Sequence, residues 1–234
     1  MMGSMTRTRL IPPHWPSIHT ALLDMDGTLL DKHFDDHFWE KLVPSRYASR
    51  HGLSVEAAEA HLMDLYRSCE KTLNWTDLDF WSERLGLDIP ALKKQVEHLI
   101  AVHPHVVPFL EYLRGAGKKV FLVTNAHGKT LDLKMEKTVL RGLFHGIVTS
   151  HEIGLPKEDP RFWQKLRERI PFEPAKTLLA EDTEAVLVSA ESFGIAWLVH
   201  IAKASSARPS SASTRYYSIE TFREITPGGG EGGF

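Results

Sequence analysis

His19-Thr20-Ala21-Leu22-Leu23-Asp24-Met25-Asp26-Gly27-Thr28 is the stretch on which the reading of the fold turns. A short apolar run stops at two carboxylates and a glycine, as a buried parallel strand does where its carboxyl end opens into a loop. Open α/β sheets place their sites at such ends, so Asp24 and Asp26 stand where chemistry is done. In isolation the same residues also describe an acidic strand-to-loop turn in which Gly27 supplies a positive φ.

Further strands follow. Lys119-Val120-Phe121-Leu122-Val123 runs into Thr124-Asn125, and the stretches 146–149, 177–180 and 195–199 are further apolar runs of four or five residues. Helical spacing separates them: Val107, Leu110 and Leu113 before Gly117; Leu131, Met135 and Leu140; Phe162 and Leu166; Leu187 to Phe193 before Gly194. This alternation predicts an α/β fold, a parallel sheet with helices on both faces. Residues 35–103 break the pattern. Ser54 can cap a helix running to about Lys71, Thr76 another ending at Gly86, and Asp88 a third carrying Leu92, Val96, Leu99 and Ile100. An all-helical insertion at 35–103 is therefore expected between the two segments, 18–34 and 104–225, of one core, with hinges near 31–35 and 103–107 that let it close over the site. Residues 1–17 read as an N-terminal extension whose Met1-Met2-Gly3-Ser4-Met5 looks like a cloning remnant. The serines of Lys203 to Arg215 predict a mobile loop and the glycines of 226–234 a disordered tail.

Composition narrows the partners. The 234 residues, 42% hydrophobic and 25% charged, suit one large globular domain or one domain with an insertion. A formal net charge of -2 lacks the positive field that binding a nucleic-acid backbone requires, so the expected partner is a small molecule and no nucleic acid. The lone Cys69 excludes an intrachain disulfide and points to a reducing compartment. After Arg7 and Arg9, Leu10-Ile11-Pro12-Pro13-His14 is too short and broken for a secretory signal, and no stretch is apolar enough to span a membrane. A cytoplasmic protein without a membrane partner is expected, and nothing in the composition fixes an oligomeric state.

Thr124-Asn125 after the second strand, Lys157 after the third and Glu181-Asp182 after the fourth extend the series begun by Asp24 and Asp26. In these motifs the chain resembles the haloacid dehalogenase superfamily, which carries DxDGT, a strand-terminal Ser or Thr, a Lys and a paired acidic motif in that order. The resemblance implies a Rossmannoid parallel sheet with an inserted helical cap of the C1 type. The chain is similar in more detail to bacterial GMP/IMP nucleotidases of that superfamily, through Phe34-Asp35, Phe38-Trp39, Lys41-Leu42-Val43-Pro44, Leu73-Asn74-Trp75 and Trp81-Ser82-Glu83 in the insertion. Thr124-Asn125-Ala126-His127, Pro156-Lys157-Glu158-Asp159 and Asp182-Thr183-Glu184-Ala185 continue the likeness in the core. It departs from the group in having Glu181 where a second Asp is usual, and in its Ser-rich and Gly-rich C-terminal stretches.

What this implies is phosphomonoester hydrolysis, in which an anionic nucleophile must reach a charged phosphate. Asp24 is the expected nucleophile, forming an aspartyl-phosphate, and Asp26 the acid and base. Mg²⁺ is the expected cofactor, held by the Asp24 and Asp182 carboxylates and the Asp26 carbonyl, with Glu181 as a direct or indirect ligand. Thr124, Asn125 and Lys157 are expected to cradle the phosphate. His127, Phe38, Trp39, Trp75 and Trp81 are candidates for touching the substrate, the aromatics by stacking on a purine. Asn74, Arg46 and Lys41 are candidate donors to a 6-oxo group. His103-Pro104-His105 has ligand-like spacing but no third partner, and reads as a loop. The implied substrate is a purine nucleoside monophosphate, GMP or IMP before AMP. A sugar-phosphate phosphatase or mutase, or a phosphoglycolate-type phosphatase, would need the same core motifs, whereas a dehalogenase has no use for Asp26 because a halide leaves without a proton.

Overall fold

The computed structural model describes residues 10–228, so Met1–Met5 and the glycine-rich end from 229 lie outside the described residues. Six parallel strands form one sheet: β1 (Thr20–Leu23), β2 (Lys119–Thr124), β3 (Gly146–Thr149), β4 (Thr177–Glu181), β5 (Trp197–Ile201) and β6 (Tyr217–Ile219), in the order β3-β2-β1-β4-β5-β6. Strand order reverses at β1, which pairs with both β2 and β4, and this opens a crevice at the carboxyl end of β1. β6 is absent from the sequence reading. Tyr217-Ser218-Ile219 is three residues long and follows the serine-rich segment without an apolar run of its own.

Alternation along β1 divides the core. Ala21 and Leu23 belong to the apolar cluster under α6 (Val106–Gly115), while Leu22 belongs to the cluster under α9 (Pro160–Arg169) and α10 (Glu184–Phe193). All of β1 is buried, which is why it reads as an unbroken apolar run.

Between β1 and β2 lie α1 (His33–His37), α2 (Val43–His51), α3 (Val55–Cys69), α4 (Leu78–Leu85) and α5 (Ile89–Gln95), closed on a cluster that includes Phe34, Phe38, Leu62, Trp81 and Leu85. Ser54 and Asp88 cap α3 and α5 by accepting from Ala57 N and Ala91 N. The cap of α4 is Asp77 instead of Thr76, its Oδ1 accepting from Asp79 N and Phe80 N. Residues 33–51, to which periodicity assigns nothing, are helical. Phe38–Leu42 is a π-helical turn linking α1 to α2, so the buried positions Phe34, Phe38 and Val43 are spaced by four and then five and escape a 3.6-residue period. The insert's two connections to the core are paired with each other, by Asp31 N to Ala101 O at 2.9 Å and His103 N to Leu29 O at 3.0 Å. His103 Nε2 also meets Ala204 O at 3.1 Å and His105 takes a left-handed φ of 65°, so this histidine pair serves the connection.

The serine-rich segment is held, contrary to the mobile loop expected of it. Ser206 N donates to Asp31 Oδ1 and Ser211 N to Ala202 O, and Arg208 pairs with Asp36 at 3.0 Å and with Glu40, both on the insert. Within it Ser213 Oγ accepts from Arg215 N and Tyr216 N, short-range turn bonds that composition cannot reveal. Thr226, at the start of the segment expected to be disordered, still donates to Phe222 O.

Trp163 is fully buried between α9 and α10, with Nε1 donating to Ser189 Oγ at 2.9 Å. Trp163→Ala leaves a large cavity and an orphaned hydroxyl, and is expected to cost about 3 to 5 kcal/mol in urea-unfolding free energy.

Candidate active site

The turn after β1 is wound on one carbonyl. Met25 O accepts from Leu29 N at 2.9 Å and Leu30 N at 2.8 Å, and Gly27 N reaches Leu30 O at 2.7 Å. Gly27 takes a φ of 80°, and a Cβ there would lie 2.5 Å from Asp182 Oδ2, so the turn needs glycine both for its backbone and for the acidic side chain beside it. Asp24, 5% exposed, directly follows the last residue of β1, and Thr124, 1% exposed, is the last residue of the neighbouring β2.

Lys157, in the loop before α9, reaches in from the third strand's side. Its Nζ donates to Asp24 Oδ1, to Glu181 Oε2 at 2.7 Å and to Val123 O at 3.2 Å. The second oxygen of Glu181 accepts from Thr183 N, so this carboxylate is spent on anchoring Lys157 and the turn after β4. Asn125 braces the same loop from the other end, accepting from Lys157 N and donating to Glu158, both at 3.0 Å. Thr124 Oγ1 accepts from Ala126 N at 3.0 Å and keeps its own hydroxyl proton to give. Asp182 is paired with Lys32 at 2.9 Å.

Burial and mutual repulsion load this cluster with proton affinity. Desolvation, with Asp182 and Asp26 nearby, pushes the Asp24 carboxyl up to about 6 against the pull of Lys157. Glu181 is raised well above its ordinary value by burial and by Asp24. Burial disfavours the Lys157 ammonium, but Asp24 and Glu181 outweigh it and hold it charged. Asp24, Glu181 and Asp182 present carboxylate oxygens all within 4.8 Å of one another. Hard oxygen donors on Asp24 and Asp182, with Glu181 behind them and negative charge in excess of Lys157 and Lys32, fit a divalent cation of the Mg²⁺ kind.

The cluster opens into a cavity of about 430 Å³ whose far wall is the insert. Trp39, Tyr66 and Trp75 face it with Met63 and Glu70 beside them, and His127 and Thr76 lie along its side. Trp81 also lines it, although only 1% exposed. His127 is the N-cap of α7 (Gly128–Glu136), Nδ1 accepting from Lys129 N at 3.3 Å, and its Nε2 lies 4.0 Å from Asp77 of the insert.

Several sequence candidates are placed elsewhere. Phe38 is fully buried in the insert's core, beneath Lys93 at 4.6 Å, and offers no face to a substrate. Arg46 is bound to Gln95 and Lys41 to Glu59, and neither they nor Asn74 line the cavity. Other residues of the site went unread. Lys134 of α7 pairs with Asp26 and Asp35, and Lys93 of α5 pairs with Asp35. A lysine next to apolar Leu133 and Met135 on a helix reads as a solvated charge, and nothing in its local sequence marks a buried partner.

Residues 18–194 match the family model of the haloacid dehalogenase-like hydrolases. The chain belongs to that family. Among curated hydrolases it is 37% identical over 213 residues to the GMP/IMP nucleotidase YrfG of Escherichia coli (strain K12), covering 91% of this chain and 96% of that protein. It is 24% identical over 200 residues, 76% of this chain and 80% of the other, to (S)-2-haloacid dehalogenase 4A of Burkholderia cepacia. A crystal structure of an HAD phosphatase from Thermococcus onnurineus superposes with a TM-score of 0.75 at 24% identity, over 90% of this chain and 99% of that one. This hydrolase has no described helix long and apolar enough to cross a membrane.

Gly27→Ala tests the turn. The added methyl must displace Asp182 or distort a positive-φ residue, so the variant is expected to lose at least about tenfold in turnover while its melting temperature falls by only a few degrees, as roughly 1 kcal/mol of backbone strain implies. Steady-state kinetics beside thermal denaturation checks both.

Proposed function

We propose that this hydrolase is a Mg²⁺-dependent phosphomonoesterase acting through an aspartyl-phosphate on Asp24, with purine nucleoside 5'-monophosphates as substrates and a 6-oxo base preferred. One observation carries the reading: a single cavity joins the Asp24 and Asp26 turn to an aromatic wall of Trp39, Tyr66 and Trp75. The near full-length identity with a GMP/IMP nucleotidase supports the same substrate class.

The residues divide the work. Asp24, Asp182 and the Asp26 carbonyl would hold the ion, and Glu181 acts behind them through Lys157. When bound, Mg²⁺ supplies positive charge against the phosphate oxygens and offsets their repulsion of Asp24. Asp24 attacks phosphorus as the bond to the ester oxygen breaks, and Asp26 gives that oxygen its proton. Asp26 then takes a proton from water, whose oxygen attacks the phosphoryl group and frees Asp24. Lys157, the Thr124 hydroxyl and the backbone N-H of Asn125 bind the three phosphate oxygens through both steps.

Base choice falls to the insert, because the core grips only phosphate. Stacking on the aromatic wall accepts any purine. Glu70, the residue after α3, also lines this cavity and adds a carboxylate acceptor where donors were expected. GMP and IMP carry N1-H, which a carboxylate accepts. AMP carries a bare N1 lone pair, which a carboxylate repels.

Asp24→Asn is expected to abolish nearly all turnover, since an amide is neither an anionic nucleophile nor a good ligand for the ion. The substrate assignment is checked by kcat/KM for GMP, IMP, AMP, UMP and a few sugar phosphates. GMP and IMP should lead, and a sugar phosphate preferred by about tenfold over every purine nucleotide, or roughly 1.4 kcal/mol, would move the assignment to the sugar-phosphate phosphatases or mutases. Glu70→Ala should narrow the GMP-to-AMP ratio by about tenfold, measured in the same assay.

A further inference from the structure

Asp26 is the end of a line of charges. Lys134, 1% exposed on α7, donates from Nζ to Asp26 Oδ1 and to Asp35 Oδ2, each at 2.5 Å. Asp35, on α1 of the insert, accepts on its other oxygen from Lys93 Nζ at 2.9 Å. Lys93, on α5 and 2% exposed, lies over the rings of Phe34, Phe38 and Trp39 at 4.8, 4.6 and 5.6 Å. The line runs from the catalytic turn through a core helix into the insert and ends against Trp39, which faces the cavity.

Its construction goes beyond a salt-bridged seam. Carboxylate and ammonium alternate along it, so none of the buried members is left uncompensated; removing Lys134 strands Asp26, and removing Asp35 strands Lys93. Lys134 engages only Oδ1 of Asp26, which leaves Oδ2 for the proton that must move. Two members belong to the core and two to the insert, and Leu133, beside Lys134, packs into the insert's own apolar cluster.

The geometry points to Lys134 and Asp35 as positioning residues for proton transfer: Lys134 fixes the Asp26 carboxyl in the rotamer that addresses the leaving-group oxygen, and Asp35 and Lys93 hold Lys134 to that task only while the insert is seated on the core. This rests on Asp26 being the acid and base, as proposed above. If the insert lifts, Asp35 and Lys93 leave with it, and Lys134 loses one of its two carboxylates and its fixed geometry. The proton donor is therefore assembled by the same seating that encloses the leaving group.

The test separates positioning from mere structural support by its dependence on the leaving group. p-Nitrophenyl phosphate releases a stable anion and needs no proton, whereas a nucleoside 5'-monophosphate releases an alkoxide that does. In single turnovers of the Mg²⁺-loaded enzyme, Lys134→Met should slow release from the nucleotide by about 10- to 100-fold and from p-nitrophenyl phosphate by less than about threefold. Added to Asp26→Asn, it should cost nothing more, because a residue acting through Asp26 falls silent once Asp26 is gone. Equal losses on both substrates, or a full additional loss in the Asp26→Asn background, overturns the proposal. Asp35→Asn, which keeps the shape and lies on the insert, should give the same signature to a smaller degree; a loss that ignores the leaving group in that variant overturns it even where Lys134→Met does not fold. Asp26→Asn alone identifies the culprit. If it too ignores the leaving group, the acid assignment and the proposal fall together, and if it discriminates while the Lys134 and Asp35 variants do not, the positioning role alone is lost.

Discussion

Negative charge crowded at the end of β1 is the constraint that the rest of this molecule serves. Asp24, Asp26, Glu181 and Asp182 come from two adjacent strand ends, and Asp35 joins them from the insert. Left to themselves they would repel one another in surroundings too dry to screen the repulsion. The compensating lysines come from elsewhere: Lys157 from the loop before α9, Lys134 from α7, Lys93 from α5 and Lys32 from the connection into the insert. Each pairing joins stretches of chain far apart in sequence, so the charge balance of the site is also a set of long-range ties. Breaking a buried pair by removing one partner costs roughly 3 to 5 kcal/mol, which makes Lys157, Lys134 and Lys93 matter to folding as well as to the charge balance.

The sheet makes the crowding possible. Parallel strands in register bring the ends of β1, β2 and β4 to one level, and the reversal of strand order at β1 keeps a helix from covering them. Thr124 and Glu181 are the last residues of their strands, held by the ladder itself, while Lys157 has to cross from the loop beyond β3. That explains why Asn125 spends both ends of its amide on the loop that carries Lys157.

Much of this was legible in the residues. Strands buried on both faces leave unbroken apolar runs, and polar motifs at their ends stand out against them, so β1 to β4 and the side chains at their tips could be read directly. The insert was read less well, for two physical reasons. The π-helical turn at Phe38–Leu42 shifts the period of its first helices, which hid residues 33–51 and left Phe38 looking like a free aromatic when it is core. A salt bridge, moreover, has no local signature: Lys134, Lys93 and Arg208 look like solvated charges until the fold brings carboxylates to them. The same blindness made the serine-rich segment look loose, and placed the expected base contacts on Arg46 and Lys41, which are occupied on the outer surface of the insert.

The paired connections at Leu29–Asp31 and Ala101–His103 carry an evolutionary consequence. Because the insert enters and leaves the core through two backbone segments bonded side by side, its presence asks nothing of the sheet beyond one small doorway. A gene segment encoding a different bundle could occupy the same doorway, and mutations inside the bundle could accumulate without disturbing the strand ends below. What drift could not touch so freely is Asp35, whose partner Lys134 lies across the threshold. Lineages that exchange one leaving group for another would therefore be expected to rewrite the aromatic wall first and the ionic crossing last.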